Sequence, residues 1–154
     1  MRSRGCGAAN WLKSCTLRFV KKILIADDDP PLRGLLRLVA ARAGFEVDTA
    51  ANGSEALEKL RENTYAVAVI DLMMPRMSGY EVIERLAGID PRPAVVVVTA
   101  MNDAHLPRLN SAVVSSILRK PFEIELLSAV LTELADSESS AENQNKIIPF
   151  PGAS

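Results

Sequence analysis

From residue 22 onward, short apolar segments of strand length alternate with segments whose apolar residues recur at helical spacing, and this alternation limits the fold more than any other feature. Ile23–Ala26, Ala66–Ile70 and Ala94–Val98 are apolar runs, Phe45–Ala50 alternates like a strand, and Ile117–Arg119 forms a short fifth segment. Between them, Leu32, Leu35, Leu36 and Val39 mark a first helix opened by Asp29-Pro30 and stopped by Gly44. Asn52-Gly53-Ser54-Glu55 resembles a capping box ahead of Ala56, Leu57 and Leu60. Ser78 and Glu81 open a third helix carrying Val82, Ile83 and Leu86, and Glu123–Ala135 forms the last. The stretch 102–114 is weakly helical at best, with Pro107 as a start or break. Strands alternating with helices in this way predict an α/β fold: a parallel sheet with helices on both faces. Continuously apolar strands fit, because they are buried on both sides.

The chain has 154 residues, which suits one domain with a sizeable core. Its net charge of −1 gives no bulk attraction to nucleic acid or anionic membrane. Residues 1–19 are expected to be a flexible basic extension, residues 20–135 the folded domain, and residues 136–154 a disordered tail. Arg2, Arg4, Lys13, Arg18, Lys21 and Lys22 make the first 22 residues basic, with no acid among them. Both cysteines, Cys6 and Cys15, lie there and match no zinc or redox spacing, so free thiols in the cytoplasm are expected. No apolar run approaches a membrane span, and no secretory signal is expected.

In open parallel sheets, ligands bind at the carboxyl ends of the strands. The first strand ends at Asp27-Asp28, the third at Asp71, the fourth at Thr99 and the fifth at Lys120. Taken singly, each has a structural explanation as a turn, strand or solvated residue. Together they deliver carboxylates, a hydroxyl and an ammonium to one rim. Gathered carboxylates repel: two unit charges about 4 Å apart interact by roughly 4 kcal/mol at an effective dielectric of 20. Oxygen-only ligands suit a hard divalent cation such as Mg²⁺. A cation, a lysine and a hydroxyl suit a phosphoryl group, and Asp71 is the candidate nucleophile.

The segments "ILIADDDP", "VIDLMMPRMSGYE", "VVVVTA" and "RKPF" resemble the response-regulator receiver domains of two-component signalling, over about residues 20–135. The resemblance implies a flavodoxin-like, doubly wound five-stranded parallel sheet in the order 2-1-3-4-5. It implies that Asp71 accepts a phosphoryl group from a histidine kinase or histidine phosphotransfer protein. Asp28 and Asp71 would bind Mg²⁺ directly, with the Met73 carbonyl, and Asp27 would act largely through metal-bound water. Thr99 and Lys120 would contact the phosphoryl oxygens, Lys120-Pro121 would be a cis peptide, and Asp29 would be a helix cap. The domain would catalyse only its own phosphorylation and dephosphorylation, then bind a downstream protein or relay the phosphoryl group. A homodimer through the fourth helix, fifth strand and last helix stays open.

Two departures from the family pattern stand out. Ile117 occupies the place of the usual switching aromatic residue, and "MNDAHLPRLNSAVVSS" lacks the usual Gly-Ala pattern, so a short or irregular fourth helix is expected. Met73 and Met101 should border Asp71 and Thr99; apolar side chains there align no attacking water, which predicts a long-lived phosphoryl group. An aspartyl-phosphate phosphatase would need an acid two residues after Asp71, where Met73 stands. The alternative is a fragment of a larger DNA-binding regulator; no helix-turn-helix is expected in residues 136–154, and nucleic acid is not an expected partner. "GCGAAN" follows no strand and ends on Asn10, against a dinucleotide loop. His105, the sole histidine, is expected at the surface.

Overall fold

The computed structural model describes residues 20–100 and 109–138. The elements run β1 (Lys22–Ala26), α1 (Pro30–Arg42), β2 (Glu46–Ala50), α2 (Gly53–Glu62), β3 (Val67–Asp71), α3 (Gly79–Leu86), β4 (Ala94–Thr99), β5 (Val114–Arg119) and α4 (Ile124–Glu138). The five strands form one parallel sheet in the order β2-β1-β3-β4-β5. This is the flavodoxin-like arrangement that the strand–helix alternation and the family resemblance together imply.

Strand side chains point alternately to opposite faces, so one apolar run feeds two cores. Leu24, Ala26, Ala68, Ile70, Val95 and Val97 face one way and pack with residues of α2 and α3, among them Ala56, Leu60, Val82, Ile83 and Leu86. Ile23, Ile25, Val67, Val69, Val96 and Val98 face the other way, onto Leu36 and Ala40 of α1 and Leu127, Leu131 and Leu134 of α4. Four consecutive valines in β4 are thereby shared between the two layers.

Local signals account for the helix ends. Proline occupies the first turn of α1, where a missing N–H costs no helical bond. Gly44 follows its end at φ 97°, a left-handed conformation that glycine adopts without penalty. Ser78 and Glu81 form a reciprocal capping box at α3. At α2 the Asn52 side chain accepts from the Glu55 N–H, while the Glu55 carboxylate reaches back to the Ala51 N–H, one residue earlier than a capping box requires.

Three expectations are corrected. Asp29 stands at the N-cap position of α1 but its side chain makes no cap hydrogen bond; its own N–H donates to Asp27 Oδ1 at 2.9 Å instead. The fifth strand starts at Val114, three residues before Ile117, and residues 111–113 form a turn rather than helix. The last helix continues through Glu138, three residues into the expected tail. Met101, His105 and Pro107 lie outside the described residues, as do Cys6, Cys15 and the rest of residues 1–19.

Candidate functional site

All five strands point the same way, so their carboxyl ends share one rim, and β1 lies beside β3. Asp27 and Asp28 follow the last residue of β1, Asp71 is the last residue of β3, Thr99 the last of β4, and Lys120 follows β5. Carboxylate oxygens of Asp27, Asp28 and Asp71 lie within 4.8 Å of one another. Asp27 and Asp71 are buried, whereas Asp28 is exposed. The Lys120 ammonium donates to Asp27 Oδ2 at 3.1 Å and to Asp71 Oδ2 at 3.0 Å.

The second oxygen of each buried carboxylate is also held. Asp27 Oδ1 accepts the Asp29 N–H, and Asp71 Oδ1 accepts the Met73 N–H at 3.1 Å. Both acids are therefore clamped between a backbone donor and one shared ammonium. Thr99 is fully buried, and its carbonyl accepts the Lys120 N–H at 2.8 Å, which ties the end of β4 to the start of the β5–α4 connection. The Lys120–Pro121 peptide is cis, as the resemblance implied.

The electrostatics follow from crowding. Burial pushes the Asp71 carboxyl above the ordinary range, against the opposing pull of the Met73 N–H and the Lys120 ammonium. Burial opposes the Lys120 charge, but hydrogen bonds and attraction from Asp71 and Asp27 outweigh it and hold its pKa above that of a free lysine. Three carboxylates facing one ammonium leave excess negative charge. An oxygen-only donor set of this kind fits a hard divalent cation.

Several contributors escaped the sequence reading. Arg33, on the first turn of α1, donates to the Asp27 carbonyl at 2.6 Å and braces the β1–α1 turn. Gly79 begins α3 directly against β3: a Cβ there would overlap the Asp71 carbonyl oxygen and lie 2.7 Å from Leu72 Cα. Gly53 lets α2 approach the Met77 carbonyl in the same way. Arg76, in the loop after Asp71, is a non-glycine residue at φ 67°. The Met73 side chain is 61% exposed. Ile117 is partly buried and packs against the core on the α2/α3 face.

The family model for the response regulator receiver domain matches residues 23–132. The chain belongs to this family. It is 30% identical over 106 residues to the regulatory protein VanRB of Enterococcus faecalis, a match covering 69% of this chain and 48% of that protein. It is 34% identical over 105 residues to the chemotaxis protein CheY of Thermotoga maritima, covering 67% of this chain and 88% of that one. The chain thus spans about half of the first relative and most of the second. Among solved structures, the response regulator protein TrrA of Thermotoga maritima, in complex with Mg²⁺ and a beryllium fluoride, superposes with a TM-score of 0.68 at 31% identity. That match covers 75% of this chain and 99% of TrrA. Receiver domains are thus the proteins that this fold and this rim resemble. Among the described residues, no helix is long and apolar enough to cross a membrane.

Proposed function

We propose that this receiver accepts a phosphoryl group on Asp71 from the phosphohistidine of a kinase or phosphotransfer protein. The observation that carries the reading is the clamp on Asp71, whose oxygens are held by the Met73 N–H and by Lys120 beside two further carboxylates. In the reaction an Asp71 carboxylate oxygen attacks phosphorus, the phosphorus–nitrogen bond breaks, and the imidazole leaves with the bond's electron pair. An acyl phosphate forms, and no oxidant or further co-reactant is needed.

Asp28, Asp71 and the Met73 carbonyl would hold Mg²⁺ directly, with Asp27 acting largely through metal-bound water. When bound, that ion supplies positive charge to the phosphoryl oxygens and offsets the repulsion among the acids. Lys120 donates to an Asp71 oxygen at 3.0 Å, so its ammonium would neutralise charge on the incoming phosphoryl group. The Thr99 hydroxyl would donate to a phosphoryl oxygen. The protein turns over no separate substrate in this reading, and its setting is the cytoplasm.

The output we propose is phosphorylation-dependent protein binding or phosphoryl relay, supported by the match along 88% of the Thermotoga CheY. A second reading, a receiver within a longer regulator, is favoured by the match to only 48% of VanRB. The mass of the endogenous protein in cell extract separates the two. Incubation with acetyl phosphate and Mg²⁺, followed by intact mass, tests the site: one added phosphate is expected in wild type and none in Asp71→Asn. An equal gain in the variant overturns the assignment.

A further inference from the structure

The helices on the Ile23/Val96 face leave a groove of about 810 Å³ between α1 and α4. Val39, Ile124 and Ala129 supply its apolar lining. Three acids, Glu125, Glu133 and Asp136, line it against one base, Arg42. None of these residues belongs to the rim, and the proposed phosphoryl chemistry uses none of them.

We propose that the groove is the seat of the chain's own N-terminal segment, residues 1–19. Topology puts the two together. Helices after parallel strands run back toward the strands' amino ends, so α1 and α4 both finish near the start of β1. The Lys21 ammonium bonds the Ala135 carbonyl, which fixes the entry of β1 beside the last turns of α4. Val20, next to Lys21, is 63% exposed, so the segment joins the domain at the end of α4 where Asp136 lines the groove.

Charge chooses among the occupants. Residues 1–19 carry Arg2, Arg4, Lys13 and Arg18 and no acid, whereas residues 139–154 carry one acid, Glu142, and one base, Lys146. A groove with three carboxylates favours the first segment. Trp11, Leu12, Leu17 and Phe19 offer apolar side chains for its floor. Reach is sufficient: α4 from Ile124 to Asp136 is about 18 Å long at roughly 1.5 Å per residue, and six extended residues span about 20 Å. In this proposal Arg18, two residues before Val20, meets Glu133 or Asp136.

The chain's only cysteines, Cys6 and Cys15, lie in this segment, so the intact protein can be tested. A nitroxide is attached to Cys15 in Cys6→Ser protein, and attenuation of backbone amide signals is read by NMR. Residues 42–43 and 125–136 should lose most of their intensity, while the β2 edge keeps it. The loss should be reversed by about 1 M salt, where the screening length falls to roughly 3 Å. It should also be reversed by Glu133→Lys with Asp136→Lys. Attenuation spread evenly around the β1 entrance, or unmoved by both salt and charge reversal, overturns the proposal. Attenuation that arises only between labelled and unlabelled molecules assigns the groove to a second copy and overturns it as well. So does attenuation of the groove by a label at Ala153→Cys, in protein lacking both native cysteines, when the Cys15 label leaves the groove untouched.

Discussion

Replacing Asp71 by Asn should make the metal-free protein more stable, although it should abolish the proposed phosphoryl acceptance. The geometry sets the magnitude. Asp71 and Asp27 carry oxygens no more than 4.8 Å apart, which amounts to about 3.5 kcal/mol of repulsion at an effective dielectric of 20. Asp28 adds a smaller share, since it is exposed and screened. The Lys120 contact at 3.0 Å returns about 5.5 kcal/mol on the same scale. Before the Asp28 share these terms leave about 2 kcal/mol of attraction, which the desolvation of a buried carboxylate must exceed for the sign to favour Asn. Replacing whole buried ion pairs by well-packed neutral groups gains about 1–4 kcal/mol, and here Lys120 keeps Asp27 as its partner at 3.1 Å, so removing one of the two acids leaves no uncompensated charge. Asn keeps the shape and one acceptor, for Lys120, but turns its amide NH2 toward the Met73 N–H, so a gain of only about 1 kcal/mol is expected, or roughly 4 °C in Tm for a domain of this size. The pH dependence has a definite sign. The folded pKa of Asp71 is raised, so its ionisation weakens the native state above that pKa and costs nothing below the unfolded value. The advantage of Asn should therefore be full near pH 7 and fade as pH falls toward the ordinary carboxylate range. Mg²⁺ should narrow the gap, because an ion at 100 times its Kd stabilises wild type by about 2.7 kcal/mol. Thermal unfolding in EDTA and in Mg²⁺ across pH measures all three effects. A variant less stable than wild type in EDTA at pH 7, or a gain that grows toward acid, refutes the reasoning.

Gly79→Ala should cost about 3 kcal/mol, because its Cβ meets the Asp71 and Leu72 backbone rather than a movable side chain; thermal unfolding and acetyl-phosphate labelling should fall together, and a wild-type Tm would contradict the packing. Tyr65→Phe removes the hydroxyl that donates to Asp48 Oδ2 at 2.7 Å and should cost about 1–2 kcal/mol at neutral pH. Burial works against the Asp48 charge, but Tyr65 and Lys22 outweigh it and hold its pKa low, so that stability is lost as pH falls through the carboxylate range, and the Phe deficit should shrink there in denaturant titrations. Met73→Asn combined with Met101→Glu should speed loss of the phosphoryl group by supplying polar groups that align water; unchanged decay of the labelled protein would remove the idea.

What could be read from the sequence divides along a physical line. Val67–Asp71 and Ala94–Thr99 were legible because burial on both faces leaves no polar position to confuse the pattern. β5 was read too short because Ser115 and Ser116 interrupt it, yet Ser116 is fully buried with no partner for its hydroxyl among the described residues. Burial there comes from the neighbouring strand, Ser116 lying opposite Val96, and no local pattern announces it. The end of α4 was missed for a related reason. Asp136, Ser137 and Glu138 read as tail, but Ser137 bonds back to the Leu134 carbonyl at 2.8 Å and the helix continues.

The site shows the same division more sharply. Asp27, Asp28, Asp71, Thr99 and Lys120 could be named because each was chosen for a charge or a hydroxyl, and strand order alone brings strand ends together. Asp29 does hold the N-cap position, but that its side chain makes no capping bond could not be foreseen, because three adjacent acids look alike until the backbone shows which N–H each carboxylate meets. Gly79, Gly53 and the Met73 N–H could not be named at all, because their contribution is close approach or a backbone donor, which no side-chain type records. Yet the clamp on Asp71 depends on them as much as on Lys120. Displacing α3 by the width of one methyl group would shift the Asp71 carbonyl, then the Met73 N–H two residues on, then the carboxylate that it holds. Gly79 should therefore behave in substitution experiments like a site residue, although it offers a phosphoryl group nothing to bind.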